Sequence, residues 1–404
     1  MKEGHAMVSI TEKADCCGCT ACAKICVNSS IAIKPDNEGF LYPVVNATMC
    51  NDCGLCDSVC PVLNANKEKI FQQNSYIVNN KDEAVRGEST SGGAFTPIAQ
   101  YIIENGGVVF GASFDEQFNV CHTYVESCNE LYKFRGSKYV QSDMGDSYIH
   151  AKAFLDAGRL VCFSGTPCQI EGLLCFLQKD YINLYTVDVV CRSVPSPLLW
   201  KKFLTYKKNK FNSSPITSVS FRDKSRYGYQ YPNIYIKAGN KQYYAGAEAD
   251  PFMRSFIESV TVRPSCYECN FKKRYRHCDF TIWDCGFPEK FDRTLDDNKG
   301  TTCVLIHTEK GKDLFNKIKS NFRYKEVPPD EIVKGVKEMF ERVPCNKKRK
   351  MFFSDLKKLS EKELFDKYFP SSVKITVIHH MKKFLAKTNL YKKVKRIAKK
   401  KAGR

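Results

Sequence analysis

Eight of the nine cysteines between residues 16 and 60 constrain this chain more than any other feature. The first run reads C-C-G-C-T-A-C-A-K-I-C over 16–26, and the second reads C-N-D-C-G-L-C-D-S-V-C-P over 50–61. With Cys17 set aside, both follow C-x2-C-x2-C-x3-C, giving Cys16, Cys19, Cys22, Cys26 and Cys50, Cys53, Cys56, Cys60. Cysteines at steps of three wrap a tight loop whose thiolates converge, while the fourth begins to point away. Gly18 and Gly54 suit such loops because glycine tolerates unusual backbone angles. Cys17 reads as a bystander.

This spacing resembles that of bacterial ferredoxins carrying two 4Fe-4S clusters. The resemblance implies crossed ligand sets: Cys16, Cys19, Cys22 and Cys60 for one cluster, and Cys50, Cys53, Cys56 and Cys26 for the other. Pro61 matches the C-P ending, and Val27 stands where the first half would usually have proline, which is not a ligand. A pair of zinc sites is the competing reading, since C-x2-C pairs also hold zinc. Zinc gives no reason for a third cysteine at the next step of three.

The chain has 404 residues and 21 cysteines. A disulfide scaffold would be short and secreted, whereas this chain is long and begins with polar MKEGHAMVSITEKAD rather than a signal peptide. The cysteines therefore read as cytoplasmic thiols and metal ligands. No stretch has eighteen apolar residues free of charge, so no membrane-spanning helix is expected. The formal charge is +19, and eleven Lys or Arg with no acid fall between Met381 and Arg404. Without them the remainder carries +8, so the body is mildly basic and the tail is a separate feature.

The expected fold is an α+β ferredoxin-like domain over 1–65, then an α/β body with a mixed sheet over 75–155 and 156–325, and a helical region with a basic tail over 326–404. Strands are expected over 75–78, 108–114, 120–125, 159–164 and 182–190. Helices are expected over 94–105, 143–157, 168–179, 197–208 and 249–260. Short strands rich in tyrosine follow Phe211, and further helices are expected over 314–318 and 329–341. The alternation of strand and helix suggests an α/β core.

Three stretches of the body read as parts of one site. Ser89-Thr-Ser-Gly-Gly93 precedes a helix, where hydroxyls and exposed N–H groups either bind phosphate or simply cap the helix. Ser164-Gly-Thr-Pro-Cys-Gln169 lies at a strand–helix junction, the kind of place where α/β sheets bind cofactors. Arg263-Pro-Ser-Cys-Tyr-Glu-Cys269 holds one more C-x2-C pair.

With Gly136-Ser-Lys-Tyr-Val-Gln-Ser142, Val189-Val-Cys-Arg-Ser-Val-Pro-Ser-Pro197 and Asp279-Phe-Thr-Ile-Trp-Asp284, these stretches resemble the beta-subunit family of coenzyme F420-reducing hydrogenases and formate dehydrogenases, over roughly 75–325. The resemblance implies FAD and a third 4Fe-4S cluster. The ligands indicated for that cluster are Cys168, Cys191, Cys266 and Cys269, with Cys278 and Cys285 as runners-up. Arg192 and Trp283 depart from the residues usual in relatives. Candidate flavin contacts are Ser91, Gly92, Gly93, Gly165, Thr166 and Lys138, a cation suited to a phosphate or to reduced flavin. Cys121, Cys128, Cys162, Cys175, Cys303 and Cys345 lack partners at ligand spacing. No histidine is marked as catalytic.

The implied function is an oxidoreductase in which single electrons from the clusters reach a flavin that delivers them in pairs to a small-molecule substrate. Some relatives belong to surface-polysaccharide loci. The alternative is an electron-transfer subunit of a larger complex. An external ferredoxin or redox partner subunit is the expected electron partner, and nucleic-acid binding is not expected. Met381, Phe384, Leu385, Tyr391, Val394 and Ala398 form a helical stripe among the basic residues of the tail. Two readings fit it: contact with the anionic inner face of a membrane, or a solvated terminus.

Overall fold

The computed structural model describes residues 10, 12–65, 68–388 and 390–401, with backbone only at 396 and 398–401. Strands β1 (Ile31–Pro35) and β2 (Leu41–Val45) form an antiparallel hairpin between the two cysteine runs. A turn at 36–39 closes it, with the Asp36 carboxylate accepting from the amides of Glu38 and Phe40 at 2.9 and 3.0 Å.

The body is built on an eight-stranded mixed sheet. Its strands are β3 (Asn74–Asn80), β4 (Val108–Phe114), β5 (Val120–Val125), β6 (Val161–Gly165) and β7 (Leu184–Val189). A second, three-stranded antiparallel sheet follows: β8 (Ile216–Asp223), β9 (Asn233–Ala238) and β10 (Lys241–Gly246). The chain then returns to the large sheet with β11 (Phe280–Asp284), β12 (Thr302–Ile306) and β13 (Phe322–Glu326), in the order β13-β3-β12-β11-β7-β6-β4-β5. Strands β4, β6, β7 and β11 run parallel.

Both faces of that parallel block are covered, as parallel strands require. Alternation along each strand sends Val108, Phe110, Val161 and Phe163 to one face, against Tyr148, Ile170 and Leu173. Val109, Cys162 and Val187 go to the other face, against Ile98, Ile102 and Phe315. Each fully buried side chain of this size contributes about 1.5–3 kcal/mol relative to exposure.

The N-terminal segment shares the first of these cores: Cys17, Cys19, Ala21 and Val59 pack in the same cluster as Phe163. Gly172, in the helix Pro167–Leu177, makes this contact possible, because a Cβ there would stand 2.7 Å from Cys19 Cβ. At its far end the hairpin is held by Arg349, which forms a forked ion pair with Glu38, and by Ser196, whose hydroxyl donates to the Glu38 carbonyl at 2.5 Å.

Three expectations change. The helix expected from Asp143 begins at Ser147, because Asp143 pairs backbone to backbone with Val120 and His122 and Gly145 takes a φ of 46°. The helix expected over 329–341 is two short ones, Pro329–Ile332 and Lys337–Phe340, separated by Gly335 at a φ of 79°. The tail stripe is split: Met381, Phe384 and Val394 are exposed, whereas Tyr391 packs toward Tyr231, ring centroids 5.3 Å apart. The Ala398 side chain lies outside the described residues. Among the described residues no helix is long and apolar enough to cross a membrane.

Candidate metal centres at the sheet edge

The two N-terminal loops share a backbone pattern that their sequences only half reveal. Two positions after the first cysteine of each loop, Gly18 and Asp52 have φ of 74° and 55°. Two positions further on, Thr20 and Gly54 have φ of 69° and 72°. Each loop thus has two left-handed residues, and only one of the two is glycine. Left-handed backbone is unfavourable for residues with a Cβ, and such strain persists where surrounding structure over-determines it, commonly at functional sites. The turns bring Cys16, Cys19, Cys22 and Cys60 to the wall of one cavity, closed by Ile33 and Leu41. These are the four cysteines of the first crossed set. The second set lies nearer solvent: Cys53 is exposed, and Cys26, Cys50 and Cys56 are half-buried. The Cys26 sulfur accepts from the Ser30 amide at 3.3 Å and contacts its hydroxyl at 3.0 Å. Burial pushes that thiol up, but the Ser30 contacts outweigh it and leave the thiol below its ordinary value.

At the carboxyl ends of the parallel strands lies a second cavity. Cys168 opens the helix after β6, Cys191 follows β7, and Cys266 and Cys269 reach in from the loop after Val262; all four line this cavity. The helix bearing Cys168 starts at Pro167, with the Gln169 side chain accepting from the Thr166 amide at 2.9 Å. Lys272 fixes the Cys191 loop by donating to the Cys191 carbonyl and to that of Glu338 at 2.7 Å. Burial pushes the Cys191 thiol up to about 12 and raises Cys266 and Cys269. The adjoining Cys17 thiol, and then burial, raise Cys168. In the first cavity burial, reinforced by Cys16, pushes Cys22 up to about 12.

Buried thiols crowded in this way ionise together only when a cation offsets their charge, a charge that bound iron would supply. Among the described residues no group of three His, Cys, Asp or Glu is placed to hold a single metal ion. A four-iron cube spreads its thiolates over separate corners and suits wider spacing, so the donor set fits a cluster better than zinc.

Cys17, read from sequence as a bystander, lines both cavities. Its thiol meets Cys168 on one side and Cys19 on the other. Its position between the tetracysteine sets depends on tertiary packing, and nothing in its local sequence signals it. Cys278 and Cys285 lie elsewhere: Cys278 contacts Thr281 at 3.5 Å, and Cys285 meets Cys303.

The candidate flavin contacts lie along the same edge. Ser91 donates to the Thr301 carbonyl at 2.6 Å, and the Gly92 amide to the Thr302 hydroxyl at 2.8 Å. A Cβ at Gly92 would stand 2.3 Å from the Val78 carbonyl oxygen, which gives this glycine a packing reason to be there. Gly93 accepts from the Asn80 side chain at 3.1 Å. The stretch 137–142 connects this region to Gly165 and Thr166. At one end Ser137 meets Thr90 at 3.0 Å, and at the other Ser142 accepts from Gln169 at 2.8 Å. Thr166 itself belongs to the cysteine cavity, its hydroxyl 3.2 Å from Cys168 Sγ.

Lys138 lies in the stretch that joins these groups, its ammonium donating at 3.2 Å to the carbonyls of Arg135 and Gly136. Burial pulls it down to about 7. Lys224, which the sequence does not mark, donates to the carbonyls of Ser91 and Lys299 at 2.8 and 2.6 Å, and burial lowers it to about 8. Among the described residues neither lysine forms an ion pair, so this edge holds positive charge suited to an anion such as a phosphate. His122 is buried against the Ser164 carbonyl at 3.0 Å and the Ser142 hydroxyl at 2.8 Å, and burial lowers it to about 4.

Fold and site together define an α/β protein with a cysteine-lined, basic site at the carboxyl edge of its sheet. Residues 158–332 match the family model for the C-terminal part of the beta subunit of coenzyme F420 hydrogenase/dehydrogenase. The chain is similar to the coenzyme F420-dependent sulfite reductase of Methanocaldococcus jannaschii, at 22% identity over 328 residues. That alignment covers 76% of this chain and 47% of the relative, so the chain spans about half the relative's length. A chain from the F420-reducing [NiFe] hydrogenase complex of Methanosarcina barkeri aligns over 74% of this chain and 91% of its own, with a TM-score of 0.44 and 15% identity.

Proposed function

We propose that this protein is an iron–sulfur flavoprotein oxidoreductase. The observation that carries the reading is the pair of adjoining cysteine cavities, one lined by Cys16, Cys19, Cys22 and Cys60 and the other by Cys168, Cys191, Cys266 and Cys269. In this reading each set holds a 4Fe-4S cluster, and Cys26, Cys50, Cys53 and Cys56 hold a further one. The exposure of Cys53 suits that last set to meeting an external ferredoxin or a redox partner subunit.

FAD, bound along the edge formed by Ser91, Gly92, Gly93, Lys138, Gly165 and Thr166, would supply the exchange between one-electron and two-electron chemistry. Lys138 and Lys224 would hold its phosphates or an anionic substrate, and Lys138 can gain or lose a proton near neutrality. The sulfite reductase relative's dependence on coenzyme F420 makes a deazaflavin one candidate two-electron partner, and a small polar substrate another. The division of the chain at 65, 155 and 325 goes with this assignment of roles.

The test is an anaerobic count of iron, acid-labile sulfide and flavin on the full chain. The expected result is about twelve irons and one FAD, falling to about eight irons in Cys191→Ala. A wild-type preparation with about eight irons and no flavin would leave only the N-terminal sets, and the reductase reading would fail.

The tail adds a peripheral contact to this proposal. Helix Val373–Lys387 is docked by its His379 and Lys382 face, which meets Glu248 at 3.1 and 3.0 Å. Its outer face exposes Val373, Val377, Met381 and Phe384. An apolar stripe set among lysines suits the surface of an anionic bilayer.

A further inference from the structure

Arg263 is fully buried, with 0% of its surface exposed, and among the described residues no carboxylate pairs with it. Its guanidinium donates to the carbonyls of Cys16 and Leu41 at 2.8 and 3.0 Å and to Gln141 Oε1 at 2.9 Å. It also reaches Cys16 Sγ at 3.5 Å and lies over the Tyr42 ring, 4.1 Å from the centroid. Gly18 leaves room for it, since a Cβ there would stand 2.7 Å from the guanidinium carbon. The same residue lines the cavity of Cys168, Cys191, Cys266 and Cys269. A buried cation surrounded by neutral oxygens is costly unless a negative charge faces it. Among the described groups that its guanidinium hydrogen-bonds, the sulfur of Cys16 is the one that can carry that charge.

We propose that Arg263 is the fixed countercharge of the centre held by Cys16, Cys19, Cys22 and Cys60, placed at its junction with the second cavity. This inference rests on the iron–sulfur reading above. Adding one electron to such a centre makes it one unit more negative. A fixed positive charge and a hydrogen bond at one ligand sulfur therefore favour the reduced state and raise the potential. The low-dielectric surroundings strengthen the effect. Arg263 is a positioning residue: it also ties the loop of Cys16 to the segment carrying Cys266.

The test uses the full chain, reconstituted anaerobically, with iron and sulfide counted before a redox titration followed by electron paramagnetic resonance. Arg263→Gln removes the charge. Gln141→Glu keeps the arginine but sets a carboxylate against it, and Arg263→Lys keeps a charge without the fork. The expected result is a wild-type iron count in Gln141→Glu and Arg263→Gln, with one midpoint moved to lower potential in both and a smaller shift in Arg263→Lys. Wild-type midpoints in both neutralising variants at full iron would overturn the proposal. If Arg263→Gln loses iron through misfolding, Gln141→Glu decides alone: a lowered midpoint supports the countercharge role, and unchanged potentials or lost iron assign Arg263 to packing only. Wild-type protein that binds no iron or sulfide would instead remove the underlying iron–sulfur reading.

Discussion

Lys138 shows how far one residue can be carried from sequence to chemistry. Its stretch is marked by motif, but the depressed ammonium depends on burial by the folded chain around it. With the charged form present below about 7 and lost above it, an anion at this edge binds more tightly at acidic pH. We expect FAD affinity, measured by flavin fluorescence, to fall roughly tenfold from pH 6 to pH 8, about 1.4 kcal/mol, and Lys138→Gln to flatten that dependence. Without ligand the sign for folding is opposite: above about 7 and up to its ordinary value, the unfolded chain holds a proton that the folded one lacks, so this group makes stability rise with pH. Cysteine ligands at fixed local spacing are legible in sequence because a short loop brings them together. Arg263 is not, because its partners Leu41, Gln141 and Cys16 lie far away in the chain and no local pattern encodes them.

Among the elements, the helix Pro167–Leu177 is the hinge of the arrangement. It presents Cys168 at its first turn and, through Gly172, admits Cys19 against its side. Gly172→Ala should overpack this contact and destabilise the protein by about 1–3 kcal/mol, seen as a lower midpoint in thermal unfolding and reduced iron at the first N-terminal set. Unchanged unfolding and iron content would show that the two parts shift freely against each other. The strands most legible from sequence, 108–114 and 120–125, are continuous apolar or alternating runs that form β4 and β5 at the expected residues. Strands β12 and β13 are not legible in the same way. TCVLI, buried at every position, is too short for periodicity to separate it from a buried helix segment, and FRYKE is a mostly exposed edge strand whose pairing with β3 supplies what its sequence does not.

Across the whole molecule, positive charge collects around the outer apolar stripe of the tail and at the sheet edge, and the two have different expected partners. The full chain should co-sediment with vesicles containing an anionic phospholipid and not with neutral ones, and Val377→Glu with Phe384→Glu should release it without altering iron content. Equal sedimentation of that double variant would count against the bilayer contact. The packing of Arg263 has a further consequence, for biosynthesis. Cys16 precedes the residue that clamps its carbonyl by 247 positions. At ribosomal speeds of about 5–20 residues per second, roughly ten to fifty seconds separate their appearance. The Arg263 clamp on the Cys16 loop can therefore form only once about two-thirds of the chain has been made, and on the iron–sulfur reading that loop stays unclamped to cluster delivery until then.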